Sequence, residues 1–210
     1  VKLTHPLKGV EIRYTLDRSE PDSVKSPVYK EPFTLNSFTV IKAKAFKPKW
    51  YGSKTLSAAY FMKGAMPDSV SLVSDEGDNR GRGKVLFDQE TGDMNVGSGK
   101  WISFRKPVSC YMFFNEPVSV HNLSVNMFVD VKFKMFLPEK MDIWGGMDKN
   151  SMKLMKSWKS DPPAKDSEAV QMQPSIGFKE TKVKCIELIM QPWVIKKTDV
   201  QSFISEIVVQ

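Results

Sequence analysis

Apolar and polar residues alternate with a period of two along most of the 210-residue chain. Successive side chains of a β-strand point to opposite faces, so this pattern predicts strands that bury one face. The alternating segments are GVEIRYTL, FTVIKAKAFK, LSAAYF, KVLFD, VSCYMFF, the run from Leu123 to Met135, KMDIW, KVKCIELIM and SFISEIVV. Turns such as KPKWYGS and QETGD separate them, and the best helical candidate, Ser151 to Ser157, is short. The pattern predicts an all-β protein of β-sandwich architecture.

The first third of the chain differs from the rest in charge. Residues 1–64 hold 12 Lys and Arg against 5 Asp and Glu, a net charge of +7, whereas residues 65–210 hold 19 of each. The strand series is also interrupted near residue 64 by a polar, Gly-rich segment. We therefore predict two all-β domains, residues 1–63 and 66–210.

The lysines of the first domain lie mainly in VIKAKAFKPKW, where they alternate with apolar residues. This spacing is typical of a solvated strand face that protects a sheet edge. A basic patch for nucleic acid or an anionic polymer is the alternative. No RNA-binding motif accompanies the lysines, so we expect no nucleic-acid partner.

The chain contains no apolar run near the roughly 20 residues that cross a bilayer, and no basic-then-apolar leader. Because it starts at Val1 in strand-like sequence, we expect a processed or excised part of a longer protein.

The chain has two cysteines, Cys110 and Cys185. The alternation turns one thiol toward the core, with Met112 and Phe114, and the other away, so we expect no disulfide.

No catalytic constellation can be assembled from these residue types. The two histidines, His5 and His121, each lie in strand-like sequence without the partners of a nucleophile system. In YTLDRSEP, the polar residues Asp17, Ser19 and Glu20 follow an apolar run. Asp and Ser are turn formers whose side chains bond backbone N–H groups two residues on. We therefore predict a turn here, and a protein that is not an enzyme.

The motifs of residues 9–61 have a family resemblance. IRYTLDRSEP, SPVYKEPFTL, TVIKAKAFK and WYGSKTLSAAYF follow one another in this order. The series resembles the small immunoglobulin-like, Fn3-associated module at the C-terminus of chitobiases and β-hexosaminidases, which reads YTLDGSEPT at its first motif. Arg18 stands where that family usually has Gly. The resemblance implies a non-catalytic accessory module of a larger secreted or surface protein.

The remaining residues resemble a second family. KVLFDQETGDMNVGSGKWISF, VSCYMFFNEPVSVHNLSV, FLPEKMDIWGG, KVKCIELIMQP and FISEIVV are similar in order to a galactose-binding-like jelly roll of the discoidin or coagulation-factor type C class. The pair of modules resembles the C-terminal regions of Bacteroidetes-type surface hexosaminidases, and equally the tails of some exported proteins that contain cytochrome c. The resemblance implies export to the periplasm or cell surface, and further domains in a parent chain.

Jelly rolls of this class bind ligands through loops at one end of the sandwich, which implies a glycan ligand. Sugar recognition needs an aromatic face and hydrogen-bonding charged groups, and GSGKWISFR supplies Trp101, Phe104 and Arg105. Trp193, after Pro192, is a further loop aromatic. The alternative for Trp101 is that it opens a strand and packs in the core.

Some members of the class hold a structural Ca²⁺, which takes several oxygen ligands from carboxylates and carbonyls. Asp88 and Asp93 lie in the matching loop, and Glu206 matches an acid of the last strand. The Asp-Gly pair of the family is Asp88-Gln89 here, so the Gly that turns the backbone toward the metal is missing. The alternative is a solvated or salt-bridged Asp88, and we expect no other cofactor.

Two functions remain open at this stage. One is an accessory region that binds carbohydrate or mediates adhesion, and the other is a structural spacer or protein-interaction module without a ligand of its own.

The alternation also predicts the core of the larger domain, which comprises Met112, Phe114, Leu123, Val125, Ile143, Ile186, Leu188, Ile204 and Val208.

Overall fold

The fold is almost entirely β, with 51% of residues in strands and 5% in helices. It is taken from a computed structural model that describes residues 1–60, 62–74, 82–162, 169–195 and 200–210. The predicted all-β class is confirmed. The chain separates into two compact units, Val1–Met62 and Lys63–Gln210.

The first unit contains a three-stranded antiparallel sheet in the order β1-β2-β3. Its strands are β1 (Glu11–Thr15), β2 (Thr39–Phe46) and β3 (Leu56–Tyr60). One face of β2 is buried through Ile41, Ala43 and Ala45. Tyr14, on β1, stacks on Phe33 with ring centroids 5.1 Å apart. The last residue of the predicted third strand, residue 61, lies outside the described residues.

The polar cluster after β1 is a turn, as predicted. The carboxylate of Asp17 accepts bonds from the backbone N–H and the hydroxyl of Ser19, at 3.1 and 2.6 Å. Arg18 has φ 70°, the left-handed conformation that glycine adopts most readily. Glu20 accepts bonds from Lys42 Nζ and Thr55 Oγ1, both at 2.7 Å. All three polar side chains therefore hold the turn and the sheet together.

The second unit is built from eight strands among its described residues. They are β4 (Ser69–Ser74), β5 (Ile102–Phe104), β6 (Val108–Val129), β7 (Lys140–Gly146), β8 (Lys153–Lys159), β9 (Val170–Met172), β10 (Ser175–Gln191) and β11 (Ser202–Val209). The first half of β6 pairs with β4 and with the second half of β10, which continues to β7 and β8. The second half of β6 pairs with β11, β9 and the start of β10, and β5 pairs with β11. Two antiparallel sheets result, and β6 and β10 run through both.

The core of the second unit lies between these sheets. All nine residues predicted for it are buried, from Leu188 at 0% exposure to Val208 at 7%. Eight of the nine belong to the core cluster, because paired residues of neighbouring strands share a face. Val208 is buried outside that cluster, since a register shift between Ile204 and Glu206 changes the phase of β11 and turns Ile207 and Val209 toward the core.

Three predicted elements differ in the structure. The segment KVLFD belongs to a 3-10 helix, Arg82–Phe87, which buries Gly83, Leu86 and Phe87 at a spacing near three. The helical candidate 151–157 lies mostly in β8, which pairs with β7 along its length. The alternation to Met135 overruns β6, because Asp130 caps a second 3-10 helix, Val131–Phe133. In the second case the partner strand decided the structure, and in the third case the cap did.

Both cysteines are buried and unbridged. As predicted, the Cys185 thiol lies on the face opposite to the core residues Ile186 and Leu188, because Cys185 is not part of their cluster and pairs with Phe113. It is buried on that other face. Burial raises the pKa of the Cys110 thiol to about 12, because the thiolate would lose its hydration.

Candidate functional site

Two of the predicted ligand residues lie in the interior. Trp101 is 3% exposed and Phe104 is 1% exposed. The expectation that Trp101 is exposed on a loop is therefore wrong, and the core alternative describes it. A buried ring has no free face for a sugar, so neither residue serves as a stacking platform in this structure.

Trp101 is enclosed by the loop that precedes it. Its ring packs edge-on against Phe128, with centroids 5.6 Å apart, and contacts Phe203. Its Nε1 donates to the carbonyl of Asp93 at 3.0 Å. Gly92 lies against the indole so closely that an added Cβ would stand 2.0 Å from Trp101 Cε2. Loop 88–100 thus closes over a small second cluster on the outer side of the sheet.

The other two predicted ligand residues lie at one end of the sandwich. Arg105 is exposed and follows β5, whose last residue Phe104 pairs with Ser202 at the start of β11. Trp193 follows β10 and is half-buried, and its Nε1 donates to Ser160 Oγ at 3.2 Å. Residues 105–107, 130–139 and 192–195 lie in loops at this end, which we call the loop end.

The loop end also exposes apolar residues that the sequence did not single out. Phe133 is 62% exposed and Val194 is 90% exposed. The ammonium of Lys132 lies 5.8 Å from the centroid of the Phe133 ring. The alternation had assigned Phe133 to a strand interior, and only the cap at Asp130 turns it outward. An exposed ring, a half-exposed indole and cationic side chains are the groups that a sugar-binding surface needs.

The candidate metal residues come together only in part. Glu206 is 3% exposed, and its Oε2 has no hydrogen-bond partner among the described residues. Burial and the neighbouring charge of Asp88 raise the pKa of Glu206 to about 8, partly offset by a bond from the backbone N–H of Gln89. An orphaned buried carboxylate oxygen beside a second carboxylate fits a hard cation.

The backbone turns at this position although the glycine is missing. Gln89 has φ 62°, the left-handed conformation that glycine adopts most readily. Asp93 does not join the pair, because its carboxylate is exposed and accepts the backbone N–H of Asn95 at 2.8 Å. The described residues contain no group of three or more His, Cys, Asp or Glu side chains placed to bind a metal, so backbone carbonyls would have to complete any calcium site.

One family model matches part of the chain. Residues 1–60 match the model of the family described as Fn3 associated. No curated protein matches the chain significantly.

Solved structures similar to the chain align with about two thirds of it. Chitosan-binding module 1 of a Paenibacillus sp. IK-5 chitosanase/glucanase has 12% identity and a TM-score of 0.47, over 70% of this chain and 96% of that one. CpGH89CBM32-5 from Clostridium perfringens, in complex with GalNAc-β-1,3-galactose, has 15% identity and a TM-score of 0.46, over 67% and 93%. The family 32 module of C. perfringens NanJ, in complex with galactose, has 14% identity and a TM-score of 0.46, over 70% and 98%. These sugars are the ligands of those proteins and assign none to this chain.

Proposed function

We propose that the chain is a non-catalytic accessory region of a larger exported protein, and that its second unit binds a carbohydrate at the loop end. The observation that carries this proposal is that the exposed Phe133 ring, the half-buried Trp193 indole and the exposed Arg105 all lie in loops at this end. Aromatic rings cover the apolar face of a sugar, and a guanidinium offers a rigid fork of donors to hydroxyls or a carboxylate. No helix among the described residues is long and apolar enough to cross a membrane.

The parent protein is proposed from the resemblance of the first unit. The Fn3-associated match of residues 1–60 supports an accessory module. A glycoside hydrolase such as a β-N-acetylhexosaminidase is the parent that the chitobiase-type motifs favour, and a cytochrome-c-containing protein is the alternative.

Binding at the loop end can be tested with a glycan array followed by calorimetric titration of the best hit. We expect a single weak site with Kd of about 0.1–1 mM, which corresponds to roughly −4 to −5.5 kcal/mol. Trp193→Ala and Phe133→Ser should each weaken binding about tenfold or more, because each removes a ring from the contact surface. Arg105→Gln should weaken it less for a neutral sugar than for a uronic acid.

The matched control is Leu154→Ala, which removes a 50% exposed apolar side chain from β8, away from the loop end. It should leave the titration unchanged. If the intact chain retains no glycan on a broad array, or if Leu154→Ala weakens binding as much as Phe133→Ser, the loop end is not a sugar site.

A structural spacer without a ligand is the second candidate function. The burial of Trp101 and Phe104 favours it, because it removes two of the four residues proposed for sugar contact. A negative array together with an intact fold would support the spacer.

We also propose that Asp88 and Glu206 hold a structural Ca²⁺ together with backbone carbonyls. The unpartnered Oε2 of Glu206 supports this, because a cation would compensate the charge that burial and Asp88 now disfavour. A bound cation adds its binding free energy to the stability of the folded state.

Calcium should therefore raise the melting temperature of the protein relative to a sample in chelator. At a free concentration about 100-fold above Kd, the free energy of unfolding should rise by about 2.7 kcal/mol. Glu206→Gln keeps the side-chain volume but removes the charge, so its melting temperature should not respond to calcium. An equal response of this variant, or no response of the unmodified chain to millimolar calcium, would contradict the site.

A further inference from the structure

Two large aromatic side chains of the first unit project into solvent next to each other. Trp50 is 65% exposed and Tyr51 is fully exposed, at 103% of its reference surface. They lie in the segment Lys47–Lys54 that joins β2 to β3, which we call the basic–aromatic loop. The ammonium of Lys47 stands 5.1 Å from the centroid of the Trp50 ring. Neither ring contributes to the core, so the fold does not account for them.

The backbone of the basic–aromatic loop is fixed at both ends. The N–H of Trp50 donates to the carbonyl of Lys47 at 3.0 Å. Pro48 and the left-handed Lys49 (φ 66°) occupy the central positions of this turn, as in a type II turn. Ser53 exchanges two bonds with Ala45, from its N–H to the carbonyl and from the Ala45 N–H to its hydroxyl, each 2.9 Å. The rings are therefore presented on an ordered loop, which lowers the entropy lost on binding.

The loop lies against the outer face of β2 and brings further cationic groups to the rings. An added Cβ at Gly52 would stand 2.8 Å from Lys44 Cε and 3.0 Å from Phe46 Cε1. Lys44 and Phe46 are on the face opposite to the buried Ala43 and Ala45. One continuous surface thus carries Lys44 beside the basic–aromatic loop.

Neighbouring carboxylates offset the positive charge of this surface only in part, since the charge of Lys44 acts on Glu20. Glu20 is engaged by Lys42 at 2.7 Å, and Glu11 by Arg13 at 2.6 Å. Within the described part of the chain, Lys44, Lys47 and Lys49 form no ion pair with Asp or Glu. Residues 1–64 carry a net charge of +7, so the surface complements a polyanion.

We propose that the basic–aromatic loop, together with Lys44, binds an acidic polysaccharide. Sugar rings would stack on Trp50 and Tyr51, while uronate carboxylates meet the lysine ammonium groups. An acidic polysaccharide of this kind carries one carboxylate on each sugar ring. It therefore matches a loop in which Lys47 and Lys49 lie beside the aromatic residues Trp50 and Tyr51. Nucleic acid is less well matched, because its non-specific binding uses a basic groove that follows several phosphates. The proposal does not depend on the loop end of the second unit.

The test uses the whole 210-residue chain and two polyuronates, polygalacturonate and alginate, in affinity electrophoresis and calorimetric titration. Fully methyl-esterified polygalacturonate supplies the same backbone without charge. We expect binding to at least one polyuronate, weaker binding to the ester, and weakening as NaCl rises past about 0.1 M, where the Debye length is about 10 Å. Trp50→Ala should weaken binding about tenfold, and Lys47→Gln should weaken it less while reducing the salt dependence.

Matched controls come from the same unit. Tyr60→Ala removes a 37% exposed ring at Thr39, the opposite end of β2 from the loop, and Lys30→Gln removes an exposed charge elsewhere. Both should bind as the unmodified chain does. Trp50→Ala should still weaken polyuronate binding in the Phe133→Ser background, which separates this site from the loop end. Tyr51→Ser repeats the test if Trp50→Ala lowers the melting temperature.

Several results would overturn the proposal. These are no binding to either polyuronate, equal binding to the methyl ester, or equal losses in the variants and the controls. A further result would reassign the surface. If Trp50→Ala abolishes binding to poly(dT), or to vesicles containing phosphatidylserine, while polyuronate binding persists, the surface binds nucleic acid or a membrane instead.

Discussion

Trp101→Ala is expected to lower the free energy of unfolding by about 3–5 kcal/mol, the range for truncating a buried Trp or Phe. The indole is 3% exposed and forms the centre of the cluster with Phe128 and Phe203. Its removal leaves a cavity under loop 88–100. The carbonyl of Asp93 also loses the donor at 3.0 Å that ties this loop to the sheet.

The measurement is equilibrium unfolding in urea, followed by far-UV circular dichroism. Trp50→Ala is the control, because it removes the same side chain from an exposed position and should change stability by no more than about 0.5 kcal/mol. A stable Trp101→Ala variant that loses glycan binding would contradict the burial and restore Trp101 as a ligand residue.

The burial of Trp101 shows what local sequence does not determine. GSGKW reads as a Gly-rich turn followed by an aromatic residue, which fits a loop tip and a strand start equally well. Whether Trp101 is buried depends on residues far along the chain, above all Phe203, which lies 102 positions later. It also depends on a loop that folds back over the sheet. Alternation describes which face a residue is on, but not whether a second layer covers that face.

The conformation of two turns was also hard to predict from the sequence. Arg18 and Gln89 stand where the families that these segments resemble have glycine, yet both residues keep a left-handed φ, 70° and 62°. Surrounding bonds hold each turn, through Ser19 in one case and Glu206 in the other. A missing glycine therefore changes the energy of a turn without removing it.

The strand alternation predicted most of the architecture, because each central strand has one buried face and a period of two. It failed where the pattern was short or where another element decided the outcome. Phe133 continues the alternation of β6, but the cap at Asp130 ends the strand and exposes the ring. The sequence made Arg105 and Trp193 candidate ligand residues, which stays a prediction, and it did not single out the exposed ring of Phe133.

Leu188→Ala is expected to cost about 2–5 kcal/mol of unfolding free energy. Leu188 is fully buried on β10, between Cys110 of β6 and Ile143 of β7, with which it is in register. Strands on both sides and a facing sheet leave little room for the structure to collapse around the lost atoms. The cost should therefore include a cavity contribution as well as the lost burial of the side chain.

Leu188→Met provides the matched control, since it keeps volume and apolar character and should cost less than about 1.5 kcal/mol. Both variants are compared with the unmodified chain in urea titrations, with the slope of the transition checked for equality. A cost below about 0.5 kcal/mol for the alanine variant would mean that Leu188 is not in the core. The phase of β10 beyond the register shift at Val183 to Cys185 would then be wrong, and with it the side of the sheet on which Glu187 and Ile189 lie.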